Sequence, residues 1–367
     1  MRQQSTTDLE QLGAEAERLL EAAIRDRVTP GAVLHATSRD GSRLHVAAGH
    51  LTYADGSPEV AEETVYDLAS LTKVIAGLPL LLHVLSEGEV RLTDTVSRFF
   101  ANAGWFQERS LANVTIEDLA LHRSGLPAWR PLFANVSERL TATANVLQTH
   151  LTEPAGAFVY SDLGAMVLGA VIERVLGERL DTAFDRLVAK PLGMSETRFA
   201  PLRAGVQVAP TEDDGWRGRL LSGEVHDENA TVMDGVSAHA GLFGVAADLS
   251  RYATAWLALE APFARSGWLR KATEDLSGGE GPARGLLWRL NDPVDWPIGN
   301  GVSANAFGHT GFTGTSLVVD PTAGWTCVLL TNRVHPRRGD GSGVSRLRRS
   351  IHELVASAFG PAASRTL

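Results

Sequence analysis

Val65-Tyr-Asp-Leu-Ala-Ser-Leu-Thr-Lys-Val74 is the stretch of sequence from which the rest of the chain can be interpreted. Apolar spacing predicts a helix over residues 70–85, and Lys73 stands three residues after Ser70 at its start. Positions i and i+3 share one face of a helix, so the lysine ammonium can reach the serine hydroxyl. A serine in the first turn also keeps a free backbone N–H, which can donate to an oxyanion. The alternative is that Ser70 only caps the start of an ordinary helix and that a lysine follows three residues later without a catalytic role.

Lysine is rare in this chain, which makes its position after Ser70 informative. Among 34 Lys and Arg residues, the lysines are Lys73, Lys190 and Lys271. Arginine does not release its proton near neutral pH, whereas a buried lysine can have its pKa lowered enough to act as a base. Pro79 lies inside the same predicted helix, where we expect it to kink the helix or to cost about 3 kcal/mol.

Two further motifs follow in the chain. Tyr160-Ser-Asp162 precedes an apolar helix, which places a phenol at a loop-to-helix junction. His309-Thr-Gly311 precedes a predicted strand and is followed by Phe312-Thr-Gly314. In this order the three motifs resemble those of the penicillin-recognising serine hydrolases, which include class C β-lactamases, D-alanyl-D-alanine carboxypeptidases and related carboxylesterases. The resemblance runs from about residue 28 to residue 335 and includes the segments 87–97, 121–126, 190–199, 225–230 and 239–243.

The resemblance implies a role for each motif. Ser70 would attack a carbonyl and form an acyl-enzyme, and either Lys73 or Tyr160 would remove its proton. Tyr160 would later activate water or a second alcohol for deacylation. The backbone N–H groups of Ser70 and Phe312 would form the oxyanion hole. The other residues expected at the substrate are Asp162, His309, Thr310 and Gly311.

Two positions depart from the β-lactamase pattern. Asp162 replaces the usual asparagine, and an ionised carboxylate accepts hydrogen bonds but cannot donate them. We expect Asp162 to pair with Lys73 instead, which favours the protonated amine. His309 replaces the usual lysine and is mostly neutral at pH 7. Both changes favour neutral esters or amides over carboxylate-bearing lactams, unless an arginine such as Arg333 restores the charge.

The order of predicted elements indicates an α/β (α+β) fold. Strands are predicted near both chain ends, and the middle is mostly helical, so we expect an antiparallel sheet flanked by helices. The sheet domain would comprise residues 1–75 and 300–367, and residues 76–299 would form an inserted, mostly helical domain. An alternating βαβ fold is the alternative, but few strands are visible between the helices. The predicted strands are 31–37, 44–48, 315–319 and 326–331, and the predicted helices include 161–176, 180–189 and 344–358.

Composition limits the classes of partner. A net charge of -9 argues against a nucleic-acid binder, and no apolar run reaches the length of a membrane span. The first 27 residues lack a secretory pattern, so we expect a cytoplasmic protein, or a periplasmic or secreted one if the sequence was trimmed.

A cluster of five arginines near the C-terminus suggests a solvated helix face, with an anion or partner site as the alternative. It consists of Arg337, Arg338, Arg346, Arg348 and Arg349.

The predicted function is a serine hydrolase that needs no metal and no cofactor and acts on a small ester, amide or β-lactam, with carboxylesterase activity first. The alternatives are a β-lactamase, a D-alanyl-D-alanine carboxypeptidase or D-aminopeptidase, and a catalytically silent binding protein of the same fold. A metal site at His226-Asp-Glu228 with His239 was weighed, but it lacks the His-Glu-x-x-His spacing and hydrogen bonding within loops is favoured. The oligomeric state is not indicated.

Overall fold

The computed structural model of the chain describes residues 6–100, 111–154, 156–296 and 298–360. Its α-helices are α1 (Thr6–Arg25), α2 (Leu78–Ser86), α3 (Val96–Phe100), α4 (Ile116–Ala120), α5 (Arg139–Leu147), α6 (Asp162–Leu176), α7 (Leu180–Phe184), α8 (Lys190–Leu192), α9 (Glu228–Thr231), α10 (Ala246–Ala258), α11 (Ser266–Ala272) and α12 (Ser342–Phe359). Its strands are β1 (Gly31–Ser38), β2 (Arg43–Gly49), β3 (Tyr66–Asp67), β4 (Arg198–Phe199), β5 (Asp213–Asp214), β6 (Arg219–Leu220), β7 (Leu242–Gly244), β8 (Arg289–Leu290), β9 (Phe307–Thr310), β10 (Ser316–Asp320) and β11 (Trp325–Thr331). Residues 1–5 and 361–367 of the predicted sheet domain lie outside the described residues.

A six-stranded sheet joins the two ends of the chain in the order β2-β1-β11-β10-β9-β8. Every neighbouring pair is antiparallel. Strand β1 pairs with β11 from Ala32 opposite Thr331 to Ser38 opposite Trp325. The predicted fold class, with an antiparallel sheet built from both chain ends, is therefore confirmed. The division into two domains stays a prediction, and β8 enters the sheet from the segment before residue 300.

Helices cover both faces of this sheet. On one face, Leu20 of α1 and Ile351 of α12 share a buried apolar cluster with Leu34 and Trp325. On the other face α10 packs on β1, β10 and β11, and Ser250 of α10 hydrogen-bonds Thr37 at 2.9 Å. Because both faces are covered, β1 is buried along nearly its whole length.

The helix that begins after Ser70 contains a π-helical turn. Residues Lys73–Gly77 form this turn and α2 continues it to Ser86. Pro79 lies at the beginning of α2, where its missing N–H leaves one carbonyl without its usual donor. The π turn directly before Pro79 contains one residue more than an α-helical turn, and it accommodates this loss. The distortion expected at Pro79 is therefore this extra residue.

The remaining differences concern short elements. The sheet β3-β7-β4 was not predicted, because its strands are too short to show a two-residue period. His309 and Thr310 precede β10 as predicted, but they also belong to a strand that was not predicted, β9. The predicted helix 180–189 is divided into α7 and a second π turn, Asp185–Ala189. Cys327 is buried in β11. Among the helices that the structure describes, none has the length and apolar character that a membrane span requires.

Candidate active site

Ser70 and Lys73 lie side by side, as their spacing predicts. Lys73 Nζ donates to Ser70 Oγ at 2.9 Å and to the His239 carbonyl oxygen at 3.2 Å. It also lies 2.7 Å from Asp162 Oδ1, and the Lys73 side chain has no exposed surface. Two hydrogen bonds and an ion pair with a carboxylate all suit a group that donates and carries a positive charge. Lys73 is therefore held in a geometry suited to its protonated form.

The pairing of Asp162 with Lys73 confirms the expectation drawn from the sequence. Burial disfavours the ammonium, but the nearby Asp162 carboxylate and Tyr160 outweigh it, and the pKa of Lys73 lies above its ordinary value. Ser161 sets the position of Asp162, because its hydroxyl accepts the Gly164 N–H at 3.1 Å and caps α6. The tyrosine motif thus lies at the loop-to-helix junction that the sequence predicts.

The segment before Ser70 is constrained by a buried carboxylate. Asp67 accepts the backbone N–H of Ala69 at 2.8 Å and that of His226 at 2.7 Å. Ala69 has a φ of 46°, a conformation that costs a residue with a Cβ about 1–2 kcal/mol. Burial raises the pKa of Asp67 above its usual range. The sequence assigned no role to Asp67, although it lies in the quoted stretch three residues before Ser70.

Tyr160 is held in place by His122. The N–H of Val159 donates to the His122 carbonyl at 2.9 Å, and the N–H of Ser161 donates to His122 Nδ1 at 3.1 Å. The two rings of His122 and Tyr160 are 4.6 Å apart between centroids. Burial lowers the pKa of His122 well below its ordinary value, so the imidazole is neutral. The sequence marked residues 121–126 as a family-like segment without giving His122 this role.

His309 lies in β9 and is buried. Its Nδ1 is 2.8 Å from the Thr310 carbonyl oxygen and donates to it, because a carbonyl can only accept. Burial lowers the pKa of His309 well below its ordinary value, with Lys73 as a further cause. The ring is 5.9 Å from that of Tyr160. His309 is therefore a neutral group beside Ser70 and Tyr160, and it does not supply the charge of the lysine it replaces.

The loop after β9 is attached directly to the segment that carries Ser70. Thr313 Oγ1 donates to the Asp67 carbonyl at 2.7 Å, and Thr315 Oγ1 donates to the Leu68 carbonyl at 3.2 Å. A Cβ on Gly311 would lie 2.1 Å from Thr315 Oγ1, so only glycine allows this close approach. Within the described part of the chain, the backbone N–H groups of Ser70 and Phe312 donate to no protein acceptor. Both remain available to a substrate oxyanion.

Ser70, Tyr160 and Phe312 line two cavities, of about 380 Å³ and about 260 Å³. The smaller one has an excess of negative charge, because its lining contains Asp162, Asp227 and Glu228 but one arginine, Arg338, which is ion-paired with Glu228. The larger one contains His309, Thr310 and Gly311 together with four arginines, Arg284, Arg289, Arg333 and Arg348. A substrate bound at Ser70 can therefore extend into two environments of opposite charge.

The arginines that line the larger cavity are only partly those that the sequence analysis singled out. Arg346 and Arg349 are exposed on α12, in line with a solvated helix face, but Arg348 on the same helix lines the larger cavity. Arg333 is in this cavity as anticipated. Arg284 and Arg289 were missed, because the segment 277–306 has no periodic pattern and only folding brings it next to β9.

His226 and His239 hold the acidic side of the site together. His239 Nε2 is 2.9 Å from Asp227 Oδ1, and His226 Nε2 is 2.8 Å from Glu212 Oε2. Arg338 donates to Glu212 at 2.6 Å, and the His226 ring stacks on Phe312 at 5.7 Å. These contacts are the loop hydrogen bonding that the sequence favoured over a metal site.

Comparison with known proteins agrees with this geometry. A model of the Beta-lactamase family matches residues 16–348. The N-acetylmuramyl-L-alanine amidase of Bacillus subtilis (strain 168) is 32% identical over 369 residues, which cover 90% of this chain and 82% of that protein. The protein named "Putative D-alanyl-D-alanine carboxypeptidase" of Escherichia coli (strain K12) is 32% identical over 305 residues, 74% of this chain and 70% of that protein.

A solved structure has the same fold at lower identity. EstCE1, described as a hydrolase with promiscuous acyltransferase activity, superposes with a TM-score of 0.72 and 21% identity, covering 96% of this chain and all of that one. The family match spans the serine–lysine, tyrosine and His-Thr-Gly motifs that the fold brings together. The chain therefore belongs to the Beta-lactamase family and is a serine hydrolase of the penicillin-recognising type.

Proposed function

We propose that this enzyme hydrolyses an amide bond in a substrate that carries a free carboxylate, as a peptide ending in D-Ala-D-Ala does. The observation behind the proposal is the arginine-lined cavity beside Ser70. Guanidinium groups bind carboxylates through paired, charge-assisted hydrogen bonds. The names of the two relatives, an amidase and a D-alanyl-D-alanine carboxypeptidase, support the same substrate class.

Acylation begins at Ser70. Its Oγ bonds to the substrate carbonyl carbon while the carbonyl electrons move to the oxygen, which the N–H groups of Ser70 and Phe312 stabilise. Tyr160, as its phenolate, takes the hydroxyl proton and becomes a neutral phenol. We favour it over Lys73 because Asp162 lies 2.7 Å from the lysine Nζ and favours the charged form of the lysine. The C–N bond then breaks, and Tyr160 returns the proton to the leaving nitrogen.

Deacylation reverses these roles with water. Tyr160 takes a proton from the water as its oxygen bonds to the acyl carbon. The ester bond to Ser70 Oγ breaks, the proton returns to Oγ, and a carboxylic acid leaves. Throughout both steps Lys73 remains an ammonium, 5.0 Å from the centre of the Tyr160 ring, and offsets negative charge on the phenolic oxygen.

Replacement of Asp162 by asparagine distinguishes the two possible bases. Without the carboxylate, Tyr160 alone opposes the effect of burial on Lys73, and the pKa of the lysine falls. If the enzyme needs the ammonium, the loss of kcat/KM at alkaline pH, which the raised pKa of Lys73 places above the measured range in the wild type, enters that range in the variant. The profile is measured between pH 5 and 10 on one chromogenic ester. Asp185→Asn, which breaks the exposed ion pair with Lys190, is the matched control. A shift of the acidic limb to lower pH instead would identify Lys73 as the base.

The carboxylate requirement is tested with one peptide in two forms. We expect an N-acylated peptide ending in D-Ala-D-Ala to have at least about tenfold higher kcat/KM than its C-terminal amide, the size expected for one charge-assisted contact. Arg333→Gln should remove most of this difference, because Arg333 lines the cavity and no carboxylate of the described residues lies within ion-pair distance of it. Arg346→Gln on the exposed face of α12 should leave it unchanged. Equal turnover of the acid and the amide would contradict the proposal.

A carboxylesterase is the second candidate. It is favoured by the neutral His309 and by Asp162, which cannot donate to an amide carbonyl in the substrate. The same enzyme can cleave both bond types, so the comparison is one of efficiency. A short-chain p-nitrophenyl ester turned over far faster than the peptide and than a chromogenic cephalosporin would make the esterase the main activity.

A further inference from the structure

The larger cavity contains more positive charge than one substrate carboxylate can neutralise. Among the described residues that line it, Asp295 is the one carboxylate facing four guanidinium groups. Asp295 is shared, since Arg284 donates to it at 2.9 Å and Arg289 at 3.1 Å. Three positive charges therefore remain uncompensated within the cavity lining. Asp340, near Arg333, is exposed to solvent outside this lining.

The arginines form two pairs that differ in their contacts. Arg284 packs over the Phe158 ring at 4.6 Å and shares Asp295 with Arg289. Arg333 packs over the Phe312 ring at 4.7 Å. Arg348, which lines the same cavity, donates to the carbonyls of Gly311 and Thr315 at 2.9 Å each and forms no ion pair with an acidic residue in the part of the chain that the structure describes. We call these two groups the Arg284–Arg289 pair and the Arg333–Arg348 pair.

The Arg284–Arg289 pair has unused donors. Arg284 is 3% exposed, yet its Nε and Nη1 have no hydrogen-bond partner, and the same is true of Arg289 Nε. Arg348 Nε on the other pair is also unpartnered. Buried polar groups are usually satisfied, and buried charges are usually paired, so such donors beside a cavity indicate a ligand that completes them. A single carboxylate at the Arg333–Arg348 pair leaves the donors of Arg284 unused.

We propose that the substrate group in this cavity is a dicarboxylate, with one carboxylate at each arginine pair, as in a residue with an acidic side chain and a free terminal carboxylate. This inference rests on the proposed function for the terminal carboxylate and adds the second one. The acidic residue lies on the side of the scissile bond that faces β9. The Arg284–Arg289 pair then determines the preference for an acidic residue over an uncharged one.

The test uses small anions as competitive inhibitors of p-nitrophenyl acetate hydrolysis, an assay that does not depend on peptide cleavage. At constant ionic strength, glutarate should inhibit with a Ki at least about tenfold below that of butyrate, because its second carboxylate can bind the second arginine pair. Arg289→Gln should bring the two Ki values within about threefold of each other, and Arg289→Lys should keep part of the difference. Arg346→Gln should behave as wild type.

The outcomes separate this inference from the proposed function. Equal Ki values for glutarate and butyrate in the wild type overturn the second carboxylate subsite, even if D-Ala-D-Ala peptides are cleaved. A glutarate preference that Arg289→Gln leaves intact also overturns it. A preference that is lost in Arg289→Gln supports the subsite, even if the D-Ala-D-Ala peptide is not a substrate. In that case the proposed peptide is wrong and the acidic ligand class stands.

Discussion

Ser70→Ala should lower kcat by roughly 10⁴-fold or more, for the p-nitrophenyl ester and for the peptide alike, because loss of the nucleophile removes the acyl-enzyme route altogether. The substitution removes one oxygen and leaves Lys73 paired with Asp162, so we expect the fold to persist. Steady-state kinetics on both substrates measure the loss. Circular dichroism and the thermal midpoint confirm that the variant is folded.

A covalent probe examines the same prediction independently of the substrate. A fluorophosphonate should label the wild type at Ser70, as located by mass spectrometry, and should not label Ser70→Ala. Ser357→Ala, on the exposed surface of α12, is the matched control and should be labelled like the wild type. Wild-type turnover by Ser70→Ala would reject the nucleophile. A wild-type protein that neither forms the adduct nor turns over any substrate would instead support the catalytically silent binding protein of the same fold.

Lys73→Met should lower kcat/KM by roughly 10³-fold, since proton transfer assisted by a positioned group contributes about 10²–10⁴-fold. Methionine has a similar length and no charge, so the buried space stays filled while the contact with Ser70 Oγ is lost. It also leaves the Asp162 carboxylate without its partner. We expect the free energy of unfolding to fall by about 2 kcal/mol, less than the roughly 3–5 kcal/mol of a fully buried pair, because Asp162 is partly exposed.

The double variant Lys73→Met/Asp162→Asn separates the two effects. It removes both charges, so stability should recover most of the loss, as measured by urea unfolding, while kcat/KM stays at the level of Lys73→Met. A double variant that recovers activity together with stability would mean that Lys73 only supports the structure. The exposed pair Lys190 and Asp185 provides the control, and Lys190→Met should change neither quantity appreciably.

Much of this site follows from local sequence. The spacing of Ser70 and Lys73 on one helix, and the position of Tyr160 directly before an apolar helix, depend on interactions between residues close in the chain. The strands at both ends of the chain were visible because they are long enough to show apolar patterning. The pairing of Asp162 with Lys73 followed from charge chemistry once both were assigned to one site.

The family, the fold class and the three motifs could therefore be predicted from the sequence, because helix periodicity and motif chemistry are local properties. The electrostatics of the cavity beside Ser70 depend instead on how distant segments fold together. His309 was correctly expected to be neutral, but Arg284 and Arg348 come from segments far apart in the chain and line one cavity, together with His309 of β9, only in the folded protein. Their charge acts through space in a partly buried cavity, where a guanidinium without a carboxylate partner affects any bound anion strongly. No pattern along the chain shows that these arginines line one cavity. A preference for a carboxylate-bearing substrate could therefore be inferred only from the folded structure.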